Sequence, residues 1–201
     1  MRRVGANRDF EQQIDYHLAD GRAPEFDKEQ AGRVALARFL IDKIIAFDGG
    51  KELTIIELGC GAGDVSGPYS RDHKVIGYDV TAMSEVSCAR RWPSMQYYRA
   101  PVETIAAYEC DILVMTEFLE HVADPVDIVH GWLPLAKWSI IGHPLYEPDP
   151  PFEPGHIWSY TRDDWRHWFQ IGGHQWLEEF RFPMGGWDEM ILGHGRRVLG
   201  R

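Results

Sequence analysis

The stretch that constrains this chain most is IIELGCGAGDVSG, residues 55–67, where an apolar run meets an acidic residue and then glycines at alternate positions, Gly59, Gly61 and Gly63. Leu53–Leu58 reads as a strand buried on both faces, because its β-branched and aliphatic side chains run without polar alternation and charge flanks them. A sharp turn must follow. Glycine permits positive φ and lets the backbone come up to a ligand where a Cβ would collide. Asp64 and Ser66 are set to cap a short helix after the turn, whose free N–H groups would face the same ligand. Lys74–Tyr78 (KVIGY) reads as a second buried strand, ending at Asp79, sixteen residues beyond Gly63. A carboxylate at that place accepts hydrogen bonds from both hydroxyls of a ribose. Strand, glycine turn, helix, strand and carboxylate form one unit suited to a nucleoside cofactor.

The pattern ExGxGxG, carried by Glu57, Gly59, Gly61 and Gly63, resembles motif I of the class I S-adenosylmethionine-dependent methyltransferases. The resemblance implies S-adenosylmethionine as cofactor, S-adenosylhomocysteine as product, the glycines beside the cofactor's amino-acid end and ribose, and Asp79 on the ribose hydroxyls. A nicotinamide oxidoreductase would more often show GxGxxG, and position 64 here is Asp64. A purely structural glycine turn in another α/β domain would use the same residues without a ligand.

The rest of the chain reads as alternating helix and strand. Residues 9–20 form a short helix with Phe10, Ile14 and Leu18 at helical spacing, and Asp27–Phe47 a long one with a broad apolar stripe. Thr81 caps a helix that runs to Arg91 and stops at Trp92-Pro93. Met95–Arg99, Asp111–Met115 and Trp138–Gly142 read as strands, with helices over Thr104–Tyr108 and Pro125–Leu133 between them. Residues 143–155, with five prolines, read as a stiff loop on the acceptor side. Thr161 caps a helix over Asp163–Phe169, and Trp176–Arg181 and Glu189–Leu192 pair antiparallel at the edge. The pattern predicts one α/β domain over residues 1–201: N-terminal helices to 47, a cofactor-binding core over 53–142, the acceptor-side loop over 143–157, and a C-terminal helix and edge strands over 158–195. Its expected architecture is a three-layer, Rossmann-like sandwich with a mostly parallel seven-stranded sheet and an antiparallel edge strand.

Two further stretches carry the site. After the third strand, Val102-Glu103 stands where the class I methyltransferases place residues around adenine, so the resemblance makes Glu103 the candidate for the adenine amine; a solvent-facing helix start explains it equally. After the fourth strand, TEFLEHVADP (116–125) is similar to a run in the ubiquinone-biosynthesis O-methyltransferases and their relatives, which implies that Thr116 touches the cofactor. Glu117, Glu120 and His121 fall at i, i+3 and i+4, on one face of a helical turn, and offer three ligands to a divalent metal. The resemblance implies a metal role as in some ubiquinone-pathway methyltransferases and the small-RNA terminal ribose methyltransferases, although the RNA enzymes add a histidine where this chain has Pro125; many relatives keep the run with no metal, as a link between strand, helix and pocket. His143, after the fifth strand, and His156, closing the proline loop, are candidates for a general base, or for hydrogen bonds that shape the loop. Tyr146, Phe152, Trp158, Tyr160, Trp165 and Trp168 crowd the same part of the chain, as core or as the wall of a pocket for a flat acceptor.

Composition decides among partners. The net charge of −10, with no run of basic residues beyond short pairs such as Arg90-Arg91 and Arg196-Arg197, makes nucleic acid an unfavoured partner and a small-molecule acceptor the expected one. No apolar run approaches membrane-spanning length and no secretory signal opens the chain, so the expected place is cytoplasmic. Cys60, Cys88 and Cys110, odd in number and without CxxC spacing, read as small buried residues. Besides a small-molecule methyltransferase, a terminal-ribose nucleic-acid methyltransferase and a cofactor-binding protein without transferase activity share these motifs.

Overall fold

In a computed structural model, residues 1–4, 31–146, 148, 155–184 and 187–198 are described. The helix expected over 9–20 and the first turn of the one starting at Asp27 lie outside them. The strands are β1 (Arg2–Arg3), β2 (Thr54–Leu58), β3 (Lys74–Asp79), β4 (Gln96–Arg99), β5 (Cys110–Thr116), β6 (Ala136–Leu145), β7 (Trp158–Ser159), β8 (His174–Met184) and β9 (Trp187–Arg197). The helices are α1 (Ala31–Phe47), α2 (Ala82–Arg91), α3 (Pro125–Trp132) and α4 (Arg162–Ile171).

Seven strands form one sheet in the order β4-β3-β2-β5-β6-β9-β8. Strands β4, β3, β2, β5 and β6 are parallel, and β9 runs antiparallel to both β6 and β8. Ile55, Ile56 and Leu58 are fully buried because β2 has strands on both sides and helices on both faces. From α1, Val34, Ala37, Leu40, Ile41 and Ile44 pack with Ile55, Val75, Ile112 and Ile140 on one face, where Cys88 of α2 joins them. On the other, Val129 and Trp132 of α3 and Trp165, Trp168 and Phe169 of α4 cover Ile56, Leu58, Leu113 and Ile141. The chain winds outward from β2 to β4, then returns to β5. The carboxyl ends of β2 and β5 therefore part at a topological switch point, where open α/β sheets hold their ligands.

Local chemistry sets several boundaries. Thr81 caps α2 by accepting from Ser84 N, and Thr161 and Asp164 form a reciprocal capping box on α4. The helix expected at Thr104–Tyr108 is instead one 3-10 turn, Val102–Thr104, after which Ile105 is extended; Thr104 Oγ1 donates to the Pro101 carbonyl and holds the chain in that turn. No α-helix follows the glycine turn either. A 3-10 turn, Gly67–Arg71, stands there with Pro68 at its start, and neither Ser66 nor Asp64 caps it.

The fifth strand does not stop at Gly142. It continues to Leu145, because β9 pairs with it through Leu145 opposite Glu189. Pro144 is tolerated there for a geometric reason. The Gly142 carbonyl accepts from Glu117 N on the β5 side, so Pro144, two residues on, faces the same side after β5 has turned away. The C-terminal hairpin is likewise longer than its apolar runs suggest, with eleven residues in each strand. Near the N-terminus, β1 pairs antiparallel with β7, a contact between distant segments that no local pattern announces. All three cysteines are free and buried. Among the described residues no helix is long and apolar enough to cross a membrane.

Candidate functional site

The glycine turn after β2 is tied down at nearly every residue. Gly59 N and Cys60 N both donate to the Tyr78 carbonyl, at 2.9 and 3.1 Å, and Gly61 N donates to Asp79 Oδ2 at 2.8 Å. Arg38 from α1 holds the Asp64 carbonyl, and Arg91 from α2 holds the Asp64 carboxylate. All three glycines have positive φ, yet each is there for its own reason. A Cβ on Gly59 would lie 2.7 Å from the Phe118 ring and one on Gly63 would lie 2.8 Å from the Trp92 ring. A Cβ on Gly61, at φ +50, would meet no atom of the described residues within 4 Å. Of the three, Gly61 alone offers a bare backbone surface on which a ligand can lie.

Beneath the turn, Glu57 is 2% exposed and its Oε2 accepts from Ser66 N and Ser66 Oγ. Burial, partly offset by the Ser66 hydrogen bonds and by Arg33, pushes its pKa up to about 7. Glu57 thus braces the loop from below rather than reaching out of it. Asp79 divides its carboxylate between Gly61 N and, through Oδ1, the backbone and hydroxyl of Thr81. Val102 points into the core, whereas Glu103 is exposed on the 3-10 turn after β4. Thr116, the last residue of β5, is buried and its Oγ1 accepts from Arg33 Nη1 at 2.6 Å.

Residues 56–135 match the family model described as a methyltransferase domain. Over this stretch, from β2 to the end of α3, the chain is similar to a methyltransferase domain. Over 90 residues it is 30% identical to the ubiquinone biosynthesis O-methyltransferase of Pseudoalteromonas translucida, a match that covers 41% of this chain and 38% of that relative. Solved structures agree in fold at low identity. Magnesium protoporphyrin IX methyltransferase of Synechocystis PCC 6803 with bound S-adenosylmethionine aligns with a TM-score of 0.74 at 13% identity, over 96% of this chain and 99% of that one. The N-methyltransferase NodS of Bradyrhizobium japonicum, in complex with S-adenosylhomocysteine, gives 0.70 at 14% identity, over 94% and 99%. The 1,6-didemethyltoxoflavin-N1-methyltransferase of Burkholderia thailandensis, with its substrate and S-adenosylhomocysteine bound, gives 0.65 at 14% identity, over 98% and 93%.

On the β5 side of the glycine turn, the sequence run EFLEH does not form the expected helical face. Glu117 takes a left-handed backbone, φ +54, and only Leu119–His121 is helical, as a 3-10 turn. The ligand atoms that come together are those of Glu120, His121 and His156, all within 4.8 Å of one another. His121 and His156 stack edge to face with ring centroids 4.6 Å apart. Ile157 N donates to the Glu120 carbonyl, which fixes His156 beside the turn. Glu120 is fully buried, no donor among the described residues reaches either of its oxygens, and burial and then the neighbouring Glu117 carboxyl push its pKa well up. His121 Nδ1 lies 3.1 Å from the Gly155 carbonyl, which can only accept, so Nδ1 donates in this contact.

His143 is not at the mouth of the site. It lies within β6, fully buried, 4.3 Å from the Tyr160 ring between centroids, with Nδ1 donating to its neighbour's Pro144 carbonyl. Burial lowers its pKa to about 4. Because β6 runs on through position 143, the ring lies within the strand's packed cover rather than on the loop that the sequence pattern predicts. Tyr160, Trp165 and Trp168 are core residues, and Trp158 Nε1 donates to the Val122 carbonyl. Tyr146 differs, being 51% exposed at φ +57 just past β6, on a cleft of about 430 Å³ that Arg2, Ser159 and Thr161 also line. Phe152 lies outside the described residues.

The residue that the sequence reading passed over is Arg33. It stands four residues before Ala37 and seven before Leu40, both fully buried, so it prolongs the buried stripe of α1 toward the site. A charge on such a stripe was the available signal.

Proposed function

We propose that this chain is an S-adenosylmethionine-dependent methyltransferase that moves a methyl group to an oxygen or nitrogen of a small-molecule acceptor. The observation that carries the reading is Gly61: left-handed backbone where a Cβ would meet no atom of the described residues within 4 Å, one hydrogen bond from Asp79 at the end of the next strand. A nucleoside lying over that backbone has its ribose beside a carboxylate and no Cβ beneath it. The cofactor supplies an electrophilic methyl on sulfur; the chain's part is to bring acceptor, methyl and sulfur into line and to exclude water. An acidic chain favours a small acceptor over a polyanion. Solved relatives named for small acceptors, magnesium protoporphyrin IX and 1,6-didemethyltoxoflavin, support the same choice.

Calorimetric titration of S-adenosylhomocysteine tests this. Wild-type protein is expected to bind it, and Asp79→Ala to lose about 1–3 kcal/mol, the scale for charge-assisted hydrogen bonds. Part of that loss comes through the loop, since Asp79 also holds Gly61 N. Failure of the wild type to bind would overturn the reading.

The cluster at Glu120, His121 and His156, with Glu117 beside it, favours a second element, a divalent cation on the acceptor side. Its donor set fits: a buried carboxylate that no donor among the described residues reaches, and an imidazole one of whose nitrogens is oriented by a backbone carbonyl, as metal-binding histidines usually are. A cation there would acidify a chelating acceptor hydroxyl. Titration of Mg²⁺, Mn²⁺ and Zn²⁺ into chelator-treated protein saturated with S-adenosylhomocysteine is expected to give binding that weakens about tenfold or more in Glu120→Gln and His156→Ala. Absence of binding in the wild type would make the cluster a structural link and leave His156 as the candidate base.

A further inference from the structure

We propose that the Phe118 ring is the surface on which the cofactor's charged sulfur rests, and that it lets the chain tell the sulfonium cofactor from its neutral thioether product. The inference rests on the cofactor reading above and concerns a residue that the reading does not use.

Place comes first. The strand order β3-β2-β5 sets Asp79, Gly59 and Glu117 one after another along the carboxyl edge of the sheet. Neighbouring strands lie about 5 Å apart. The sulfur hangs from the ribose by a single methylene, so with the ribose at Asp79 it would come to the end of β2 and no further. Phe118 meets β2 there. A Cβ on Gly59 would lie 2.7 Å from its Cδ2 and 3.2 Å from both its Cβ and its Cγ, so glycine at 59 is what admits the ring.

A strained residue aims the ring. Glu117, just past β5, holds φ at +54, a left-handed backbone that a residue with a Cβ adopts only under constraint. Its N–H donates to the Gly142 carbonyl of β6, and the Phe118 carbonyl accepts from His121 N, so the turn is held at both ends. The chain is thereby sent back across β2, and Phe118 falls on Gly59. It packs against the core cluster that holds Leu58 and Leu119, yet it stays only partly buried at the edge of the sheet.

Chemistry says what such a ring can do. The acids nearest the glycine turn are already committed, Asp79 to Gly61 N and Thr81, Glu57 to Ser66. An aromatic face attracts a cation through its quadrupole and gains less from a neutral sulfur. Cofactor and product differ in that one charge.

The test compares three ligands that share the nucleoside and the amino-acid end but differ at the sulfur position. S-adenosylmethionine, S-adenosylhomocysteine and sinefungin, which carries an ammonium in place of the methylsulfonium, are titrated calorimetrically into wild type, Phe118→Leu, Phe118→Met and Phe118→Tyr, with thermal melting recorded for each. In Phe118→Leu the two cationic ligands are expected to weaken about fivefold or more, the scale of a partly desolvated cation–ring contact, while S-adenosylhomocysteine stays within about twofold of wild type. Phe118→Met is expected to give the same split and serves if the leucine variant folds poorly; Phe118→Tyr, which keeps an aromatic face, should keep the wild-type ratio. Equal loss for all three ligands would show that the ring only shapes the loop at Gly59, and no loss for any would remove it from the site; each outcome overturns the proposal. A wild type that binds none of them would instead overturn the cofactor reading itself.

Discussion

Gly61→Val is expected to weaken S-adenosylhomocysteine binding by about a hundredfold or more, close to 3 kcal/mol, while leaving the protein folded. The new side chain would stand where a Cβ meets no atom of the described residues within 4 Å, so it fills the cradle without pushing on the core. Its cost to the fold is the left-handed backbone at φ +50, about 1–2 kcal/mol for a residue with a Cβ. Gly59→Ala and Gly63→Ala should behave in the opposite way. Their methyl groups would meet the Phe118 and Trp92 rings at 2.7 and 2.8 Å, so they should lower thermal stability first and affinity as a consequence. Melting curves and calorimetry on the three variants separate these roles. Near-normal affinity in Gly61→Val would mean that the ligand does not lie on this loop.

Glu57→Gln is expected to stabilise the protein at alkaline pH and to change little at pH 4. In the folded chain the Glu57 pKa is raised from 4.5 to about 7, because burial disfavours the carboxylate more than Ser66 and Arg33 favour it. A raised carboxyl contributes stability that is complete below the unfolded value of 4.5 and is lost as pH rises through 7. At roughly 1.4 kcal/mol per pKa unit the loss is about 3 kcal/mol above pH 8. His143 works in the other direction. Its pKa falls from 6.5 to about 4, so its contribution is present above 6.5 and disappears as pH drops through 4. The two nearly cancel in wild type, which should show a flat profile with a shallow maximum between pH 5 and 6 as far as these groups decide it. Glutamine at 57 removes one side of the balance, leaving stability that climbs with pH. Urea unfolding at pH 4, 6 and 8 measures the difference, and an unchanged profile would mean that Glu57 is ionised without strain.

The sheet was legible because its signals are local. A parallel strand buried on both faces must be an unbroken apolar run, as in Ile55–Leu58, and the glycine turn and Asp79 follow at fixed distances along the chain. What the sequence hid depends on contacts between distant segments. Nothing near Pro144 reveals that β9 will pair beside it or that β5 will have turned away, and that pairing is what seals His143 inside. Ser66 has the composition of a helix cap, but the buried Glu57, nine residues earlier, offers its hydroxyl a stronger partner than a helix end would. His156 joins Glu120 and His121 through one backbone bond across the chain, from Ile157 N, so spacing alone assigned it to another role.

The ties on the glycine loop have a kinetic side. With Gly59 and Cys60 held by Tyr78, Gly61 by Asp79, Ser66 by Glu57 and Asp64 by Arg38 and Arg91, the loop is set before any ligand arrives. Its amides should therefore resist exchange with solvent deuterium in the free protein. Association then costs the ligand its freedom but costs this segment little, so encounter rather than rearrangement of the loop sets how fast the cradle fills.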